Sequence, residues 1–350
     1  MFLVAGGYGQ VGGYAVRELA GRHPGQVIVA GRSLDKATRL AAEVGAGVHA
    51  VTLDIYDPAT WDAAMADART VVMCLNSATT DFAQHCLQRG IHYVDISPSQ
   101  AVMRGIERFD EVAQHAGATA ALGVGLAPGL SNLLVKQVCE QFDEPPRVQI
   151  NMMLGLGEAH GTDGVRWFLD NISDDFPVPT ADGKRLARPF AGRRVANFPA
   201  PWGRRSVYRF NVADQFITPN TLPVAAAGSY FCYDSRAATR TLGLLKRLGV
   251  FRMLRSERIY RLAVRTLASS VGGGLGTDAY ALQVEATGLR GDVMQTTSIG
   301  VAGNDNSRLT AQIAAVTAEA LNAGKHPAGV HYLEQLITVA DLRALGAWPV

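Results

Sequence analysis

The residues best suited to chemistry lie near the N-terminus, where Gly7, Gly9 and Gly12 have the spacing GxGxxG. They follow the apolar segment FLVA and precede a helical pattern. Glycines let a backbone approach a pyrophosphate without an intervening Cβ, and the following helix supplies free N–H groups and a partial positive charge. The pattern predicts a dinucleotide site, and the alternative is a glycine-rich turn without a ligand. The predicted contacts come from Gly6, Gly7, Tyr8, Gly9, Gln10 and Val11.

The end of the second predicted strand indicates which dinucleotide binds. Sites for NAD usually carry an Asp or Glu there, about 20 residues beyond the glycines, to bind the ribose 2′-hydroxyl. This chain instead has Gly31, Arg32 and Ser33. Arg32 can pair with a 2′-phosphate and Ser33 can donate a hydrogen bond to it. The turn therefore predicts NADP as the cofactor, and an Asp at position 31 is expected to favour NADH. The alternative is that Arg32 is only a solvated loop cation.

Polar residues at the ends of later predicted strands extend the same site. Asp54 is placed to meet the adenine amino group, and Asn76 to bind a ribose hydroxyl or to cap a helix that begins near Thr79. Asp95 and Ser97 follow the fifth strand at the same edge of the sheet, and Ser97 is a further predicted cofactor contact. Asp95 is a candidate charge beside the nicotinamide or a substrate amine, or it pins the turn.

Candidates for proton transfer and substrate binding are scattered farther along the chain. His160 and Asp163 lie in a polar, glycine-flanked loop, and either could donate a proton to a developing amine. A lone His in such a loop is more often structural. Arg204 and Arg205, beside Trp202, either bind a substrate carboxylate or form an ordinary exposed basic turn.

The elements that must position these residues alternate over the first 125 residues. Strands are predicted at 2–6, 26–30, 48–53, 70–75, 91–94 and 118–123, with helices at 10–21, 34–43, 58–66, 79–89 and 104–116. This alternation predicts a doubly wound parallel sheet. Farther on we expect a helix at 128–141, a strand at 147–155, a hairpin at 278–287 and 293–301, and a helix at 306–323. We expect this hairpin to lie outside the parallel sheet. We also expect the domain that contains it to form a homodimer across a two-fold axis.

An arginine-rich segment spans residues 236–265. Arg252, Arg255, Arg258, Arg261 and Arg265 recur every three or four residues and are predicted to share one helical face. That face could contact an anionic lipid or an acidic partner. The alternative, which we prefer, is a solvated face beside an oligomer contact.

Composition excludes several classes of protein. The length of 350 residues predicts two domains. Because 48% of the residues are hydrophobic and 18% are charged, the composition excludes general disorder. The 33 basic and 31 acidic residues give a net charge of +2, which argues against a dedicated nucleic-acid binder. Four separated cysteines without a CxxC pair indicate neither a metal site nor a disulfide framework. With no export signal and no apolar run of about 20 residues, the predicted location is the cytoplasm and no membrane span is expected.

Several motifs in order resemble one known family. The segments GGYGQVG, AGRS, HYVD and GVGLAPGLSNLL, with a later GVH, are similar to saccharopine dehydrogenase-like oxidoreductases. The resemblance implies an α/β fold: a Rossmann doubly wound parallel sheet with an inserted mixed α/β substrate and dimerisation domain. The implied bounds are 1–125 for the Rossmann domain, 126–324 for the insert and 325–350 for a C-terminal segment that returns to the first domain.

The same resemblance implies hydride transfer between NADP(H) and a C=N bond that joins a small-molecule amine and an oxo-acid. Relatives that form saccharopine carry an acidic residue just before the Pro-Gly and an Asp-His-like pair after it, where this chain has Ala127 and Ser131-Asn132. A substrate other than saccharopine is therefore expected: another imine, an iminium or a C=C bond. The alternative function is a nucleotide-binding sensor or scaffold without catalysis.

Overall fold

The computed structural model describes residues 1–157, 162–180, 183–270 and 276–344. The strands are β1 (Phe2–Ala5), β2 (Val27–Gly31), β3 (His49–Thr52), β4 (Thr70–Met73), β5 (His92–Asp95), β6 (Thr119–Leu122), β7 (Arg147–Leu154), β8 (Phe176–Thr180), β9 (Gly183–Ala187), β10 (Arg194–Phe198), β11 (Gly203–Arg209), β12 (Ala226–Tyr233), β13 (Ala279–Arg290), β14 (Val293–Asn304) and β15 (Gly329–Tyr332).

The helices are α1 (Gln10–Arg22), α2 (Leu34–Val44), α3 (Trp61–Met65), α4 (Asp81–Gln88), α5 (Gln100–Glu107), α6 (Asp110–Ala116), α7 (Ser131–Cys139), α8 (Thr162–Ser173), α9 (Asp214–Thr221), α10 (Arg236–Arg247), α11 (Glu257–Ser270), α12 (Asn306–Asn322), α13 (Leu333–Leu336) and α14 (Val339–Ala344). Short 3₁₀ turns lie at Pro58–Thr60 and Val250–Arg255. None of the helices in the described residues is long and apolar enough to cross a membrane.

The first sheet is a seven-stranded parallel sheet in the order β15-β6-β5-β4-β1-β2-β3. Every residue of β1, β2, β4, β5 and β6 is buried, as expected for strands with both faces covered. Leu3 pairs with Ile28 of β2 on one side and with Val71 of β4 on the other. The order in which successive strands are added to the sheet reverses between β1 and β4, and ligands bind at this point in sheets of this kind. The predicted doubly wound sheet is confirmed.

The C-terminal part of the chain adds the seventh strand. Val330 of β15 pairs in parallel with Ala120 of β6. The N–H of Val330 also donates to the Asp110 carboxylate at 2.7 Å, which ties the strand to α6. The chain therefore returns to the first sheet at its C-terminal end.

The second sheet has six strands in the order β10-β11-β12-β7-β13-β14 and is mixed. Strand β7 runs parallel to β12 and antiparallel to β13. Strands β13 and β14 form the predicted hairpin, and this hairpin lies outside the parallel sheet. One face of the second sheet buries Met153, Phe198, Val207 and Cys232 in a common apolar cluster.

Contacts divide the chain into two units. The first contains Met1–Leu130 and the described residues from Ser307 onward, and the second contains the described residues of Ser131–Asn306. Helix α12 belongs to the first unit because it packs on α1, where Glu319 pairs with Arg22 at 2.7 Å and with His23 at 2.8 Å. The sequence-based bounds of 1–125, 126–324 and 325–350 differ from this division mainly by that helix.

The helix predicted at 128–141 is wrong at its start. It begins at Ser131, because Gly129 has φ of 132°, a left-handed backbone that no helix contains. A Cβ at Gly129 would also lie 2.8 Å from the carbonyl oxygen of Gly123. Pro128 therefore belongs to a turn and not to the first helical position.

The helix predicted at 104–116 is two helices. Helix α5 begins earlier, where the hydroxyl of Ser99 accepts a hydrogen bond from the Val102 N–H at 3.4 Å. The chain leaves helical geometry at Phe109 and starts again at Asp110. The break allows Asp110 to accept the hydrogen bond from β15 described above.

The predicted single arginine face is also wrong. Arg252 and Arg255 lie in the 3₁₀ turn at Val250–Arg255, whereas Arg258, Arg261 and Arg265 lie on α11. Ser256 is extended between the two elements, so the helical spacing is interrupted.

Candidate functional site

The glycine-rich turn between β1 and α1 is tightly packed. Gly6 has φ of 74°, and a Cβ there would lie 2.6 Å from the Leu75 side chain. A Cβ at Gly12 would overlap the Gly6 carbonyl oxygen and come within 2.8 Å of Gly7 Cα. The backbone can make this close turn only with glycine at both positions. The N–H of Gly9 donates to the Gly6 carbonyl at 2.8 Å and closes the turn.

The N-terminus of α1 is open to an anion. Gly9 caps the helix and has no side chain to accept from its first N–H groups, and the first turn contains no acidic residue. These N–H groups and the helix dipole form a site for a phosphate. The cradle at Gly6 and Gly12 and this open helix end fit the pyrophosphate of a dinucleotide.

Tyr8 connects the glycine turn to the end of β2. The Ser33 N–H donates to the Tyr8 hydroxyl at 3.2 Å. A Cβ at Gly31 would lie 2.8 Å from Tyr8 Cζ, so the ring covers Gly31. The Ser33 hydroxyl caps α2 by accepting from the Lys36 N–H at 3.4 Å, which leaves its hydrogen free to donate. Arg32 is exposed, and no carboxylate in the described part of the chain pairs with it. This turn fits a 2′-phosphate.

A cleft of about 580 Å³ opens beside Tyr8, between α1 and α2. Its lining includes Gln10, Lys36 and Arg39, and the Lys36 ammonium lies 5.9 Å from the Tyr8 ring centroid. Farther along the cleft, Arg17 pairs with Glu43 at 2.6 Å. Sequence reasoning missed Lys36 and Arg39. Their three-residue spacing at the start of α2 was the available signal, since it places both on one helical face.

Asp54 and Asn76 follow the C-terminal ends of β3 and β4, as predicted. One carboxylate oxygen of half-buried Asp54 accepts from the Tyr56 N–H at 3.0 Å, and its carbonyl accepts from the Trp61 indole at 2.9 Å. Asn76 is exposed after β4. It does not cap the next helix, because α4 begins at Asp81 with Thr80 as its cap residue.

Asp95 is buried and engaged in its own turn. Its carboxylate accepts from the Ser97 N–H at 2.6 Å, and the Tyr93 side chain also hydrogen-bonds to it. Burial raises the pKa of Asp95 to about 6, although these two hydrogen bonds oppose the increase. Burial, with a smaller contribution from Asp95, raises the pKa of the Cys74 thiol to about 12. The Asp95 carboxylate therefore fixes the start of the segment that contains buried Ser97.

The remaining catalytic candidates cannot be placed. His160 lies outside the described residues, and Asp163 falls in the first turn of α8, where only the backbone is described. Across the described ranges, His, Cys, Asp and Glu side chains form no group of three that could hold a metal ion.

Sequence reasoning missed a second buried acid, in the second unit. Asp214 is fully buried at the start of α9, where the Ser229 hydroxyl donates to one carboxylate oxygen. The other carboxylate oxygen is buried and has no partner within the described chain. Burial raises the pKa of Asp214 to about 6, opposed by hydrogen bonds from Ser229 and Ser131 and by Arg209. No local pattern in the sequence marks this position.

Comparison with protein families supports the dinucleotide assignment. Residues 2–121 match the family described as the saccharopine dehydrogenase NADP binding domain. The matched range contains β1–β5, all of β6 except Leu122, and every cofactor contact predicted from the sequence. No match was found among curated proteins.

Two solved structures resemble the chain over almost its whole length. The apo saccharopine dehydrogenase (L-Glu forming) of Saccharomyces cerevisiae is 14% identical with a TM-score of 0.68, covering 98% of this chain and 95% of that one. The C. glutamicum DAP dehydrogenase in complex with DAP is 13% identical with a TM-score of 0.49, covering 98% of each chain. The yeast structure shows that the two-unit fold is shared.

The family match confirms the resemblance and the predicted cofactor, and the turns at Gly6–Gly12 and Gly31–Ser33 fit that cofactor. Residues 2–121 form an NADP-binding domain of the saccharopine dehydrogenase type.

Proposed function

We propose that this chain is an NADP-dependent oxidoreductase that transfers hydride to or from a C=N bond of a substrate derived from an amine and an oxo-acid. The observation that carries the proposal is the open N-terminus of α1 beside exposed Arg32, with no carboxylate at the end of β2. The matched NADP-binding domain and the fold shared with a saccharopine dehydrogenase support it.

The residues that would hold the cofactor follow from the site. The first N–H groups of α1 would bind the pyrophosphate, and Arg32 with the Ser33 hydroxyl would bind the 2′-phosphate. Asp54 and Asn76 would contact the adenosine and a ribose hydroxyl, and Ser97 would lie near the nicotinamide end. When bound, the cofactor supplies or accepts a hydride.

Asp95 acts as a positioning residue in this proposal. Its carboxylate is buried and already accepts from the Ser97 N–H, so it holds the segment after β5 in place. Hydride transfer to an iminium, an imine already protonated on nitrogen, gives the neutral amine directly, so this step depends mainly on the placement of the substrate against the nicotinamide.

The substrate is not saccharopine in this proposal. At the positions where saccharopine-forming relatives carry charged residues, this chain has half-buried Ala127 and fully buried Ser131 and Asn132. Neutral side chains at these positions favour an imine with fewer charged groups. A small-molecule amine or oxo-acid remains the proposed partner, a homodimer the proposed assembly and the cytoplasm the predicted location.

The test is a substrate screen that follows the loss of nicotinamide absorbance. Purified protein is incubated with NADPH and with pools of amines paired with oxo-acids, preformed cyclic imines, or enoyl compounds. We expect turnover with an amine and oxo-acid pair or with an imine. Turnover of only enoyl compounds would assign the C=C alternative, and tight NADPH binding without turnover in any pool would assign the sensor alternative.

A further inference from the structure

The second unit contains a cleft of about 230 Å³ whose charged lining is entirely cationic. It opens between the hairpin of β10 and β11 and the first turns of α10. The arginines that line it are Arg193, Arg204, Arg205, Arg236 and Arg240. Neutral side chains, including Ser206, Cys232, Tyr233 and Thr239, complete the lining.

Three of these guanidinium groups are held in place by neutral acceptors. Arg205 donates to the Asp234 carbonyl at 2.7 Å and to the Trp202 carbonyl at 3.2 Å, and it lies 5.3 Å from the Trp202 ring centroid. Arg236 donates to the Arg204 carbonyl at 3.3 Å, and Arg193 to the Ser206 hydroxyl at 3.1 Å. These contacts orient the cations without neutralising them.

No carboxylate of the described residues forms an ion pair with any of the five arginines. Asp234 is next to the cleft, but its carboxylate accepts from the N–H groups of Leu156, Ser235 and Thr277 and from the Thr277 hydroxyl. The Cys232 thiol adds no negative charge to the lining, because burial raises its pKa to about 12 even though nearby Arg205 opposes the increase.

Five like charges around one small cleft repel each other unless an anion joins them. The N-terminus of α10 adds to this field, because Arg236 is its first residue and the twelve-residue helix has no acidic residue in its first turn. Several guanidinium groups together favour a compact ligand with more than one carboxylate or phosphate group. Each carboxylate or phosphate can accept two parallel hydrogen bonds from one guanidinium group.

We propose that this arginine cleft binds a compact polyanion, with two or more clustered carboxylate or phosphate groups. The site lies within the second unit and is distinct from the dinucleotide site of the first. It goes beyond the proposed function, and its test measures binding and not turnover.

The experiment is isothermal titration calorimetry of the full chain with citrate and with pyrophosphate. Saturating NADP⁺ is present so that neither anion occupies the cofactor's phosphate sites, and sodium chloride keeps the ionic strength constant. We expect saturable binding of one anion per chain. The tighter of the two ligands identifies the class, a polycarboxylate or a phosphorylated compound.

Three variants separate this site from general charge attraction. Arg204→Gln and Arg240→Gln each remove a lining cation that carries no structural hydrogen bond within the described chain, so both should fold normally. Each is expected to weaken anion binding by at least about tenfold. The matched control is Arg247→Gln, which removes an exposed arginine from α10 outside the cleft and should leave the affinity unchanged.

The proposal is overturned if neither anion binds saturably, or if Arg247→Gln weakens binding as much as the two cleft variants. Circular dichroism of each variant verifies that the fold is retained. Failure of this test would leave hydride transfer untouched, because the two measurements share no readout.

Discussion

The Tyr8 hydroxyl accepts a hydrogen bond from the Ser33 N–H at 3.2 Å. This contact joins the glycine-rich turn after β1, which would hold the pyrophosphate of NADP, to the turn after β2, which would hold its 2′-phosphate. The same ring covers Gly31, which explains why a residue with no side chain stands there. We therefore expect cofactor preference in this chain to depend on Tyr8 as well as on the residues that follow β2.

Gly31→Asp alone is expected to weaken the binding of both NADPH and NADH. Its Cβ would lie 2.8 Å from Tyr8 Cζ, so the ring must leave its place and give up the Ser33 contact. This corrects the sequence-based expectation that Asp at 31 favours NADH. Calorimetric titration of both cofactors checks it. The double variant Tyr8→Ala/Gly31→Asp makes room for the carboxylate and should bind NADH more tightly than NADPH. A Gly31→Asp variant that binds NADH more tightly than NADPH would contradict this prediction.

Arg32→Ala is expected to weaken NADPH binding by roughly ten- to a hundredfold, because a charge-assisted hydrogen bond contributes about 1.5–3 kcal/mol. NADH has no 2′-phosphate and should bind almost as it does to the unchanged protein. Calorimetric titration of both cofactors measures the two affinities. Arg108→Ala, which removes an exposed cation elsewhere in the first unit, is the control and should change neither. Equal losses for NADPH and NADH in Arg32→Ala would refute the phosphate assignment.

The strands of the first sheet and its cofactor turns were predictable because their signals are local. Strand β1 was expected at 2–6 and lies at Phe2–Ala5, since strands buried on both faces are continuous apolar runs. Tyr8, by contrast, was predicted only as a backbone neighbour of the glycines. Its contact with Ser33 joins residues 25 positions apart, and no pattern in either segment predicts this contact.

The strand order of the second sheet and the burial of the acids were also not predictable, because both depend on contacts between segments that are distant in sequence. Strand β7 lies between β12 and β13, and this pairing is decided by packing between segments that are distant in sequence. Asp214 looks like an ordinary acidic residue at a helix start, a position that usually faces solvent. Only the folded structure shows that it is buried, beside Ser229 and Ser131.

Gly12→Ala is expected to lower the free energy of unfolding of the first unit by about 1–3 kcal/mol, or more if the turn cannot yield. The added Cβ overlaps the Gly6 carbonyl oxygen and lies 2.8 Å from Gly7 Cα, and both are backbone groups. The matched control is Gly21→Ala in the same helix. No atom lies within 4 Å of its Cβ position, so this change should raise stability by about 0.5–1 kcal/mol. Thermal unfolding compares the two variants, and an unchanged or higher midpoint for Gly12→Ala would show that the turn is loose.

A homodimer through the β13–β14 hairpin is expected in solution. Strand β14 is twelve residues long, forms an edge of the second sheet and is largely exposed. Val293 is 59% and Met294 64% exposed, an arrangement that a two-fold contact would cover. Light scattering at micromolar concentration should give the mass of two chains. Val293→Lys/Met294→Lys should give the mass of one, whereas Leu186→Lys, at an exposed apolar residue of the separate β8–β9 hairpin, should not. A monomeric mass for the unchanged protein would exclude this assembly.

Asp214→Asn is expected to flatten the dependence of stability on pH. The folded pKa is about 6 and the ordinary value is 3.8, so the folded state binds the proton more tightly than the unfolded state. The free energy of unfolding therefore falls as the pH rises from about 4 to about 6, by about 3 kcal/mol for a difference of about two pKa units. The Asn variant cannot ionise and should lose this part of the slope, while Asp95 in the other unit keeps its own. Denaturant unfolding of the second unit at pH 4 and pH 7 measures the difference.

Asp292→Asn, at an exposed position of the same unit, is the control and should keep the slope of the unchanged protein. Equal slopes for Asp214→Asn and Asp292→Asn would mean that Asp214 is already ionised at low pH, and that the unpartnered buried oxygen is solvated or paired in solution.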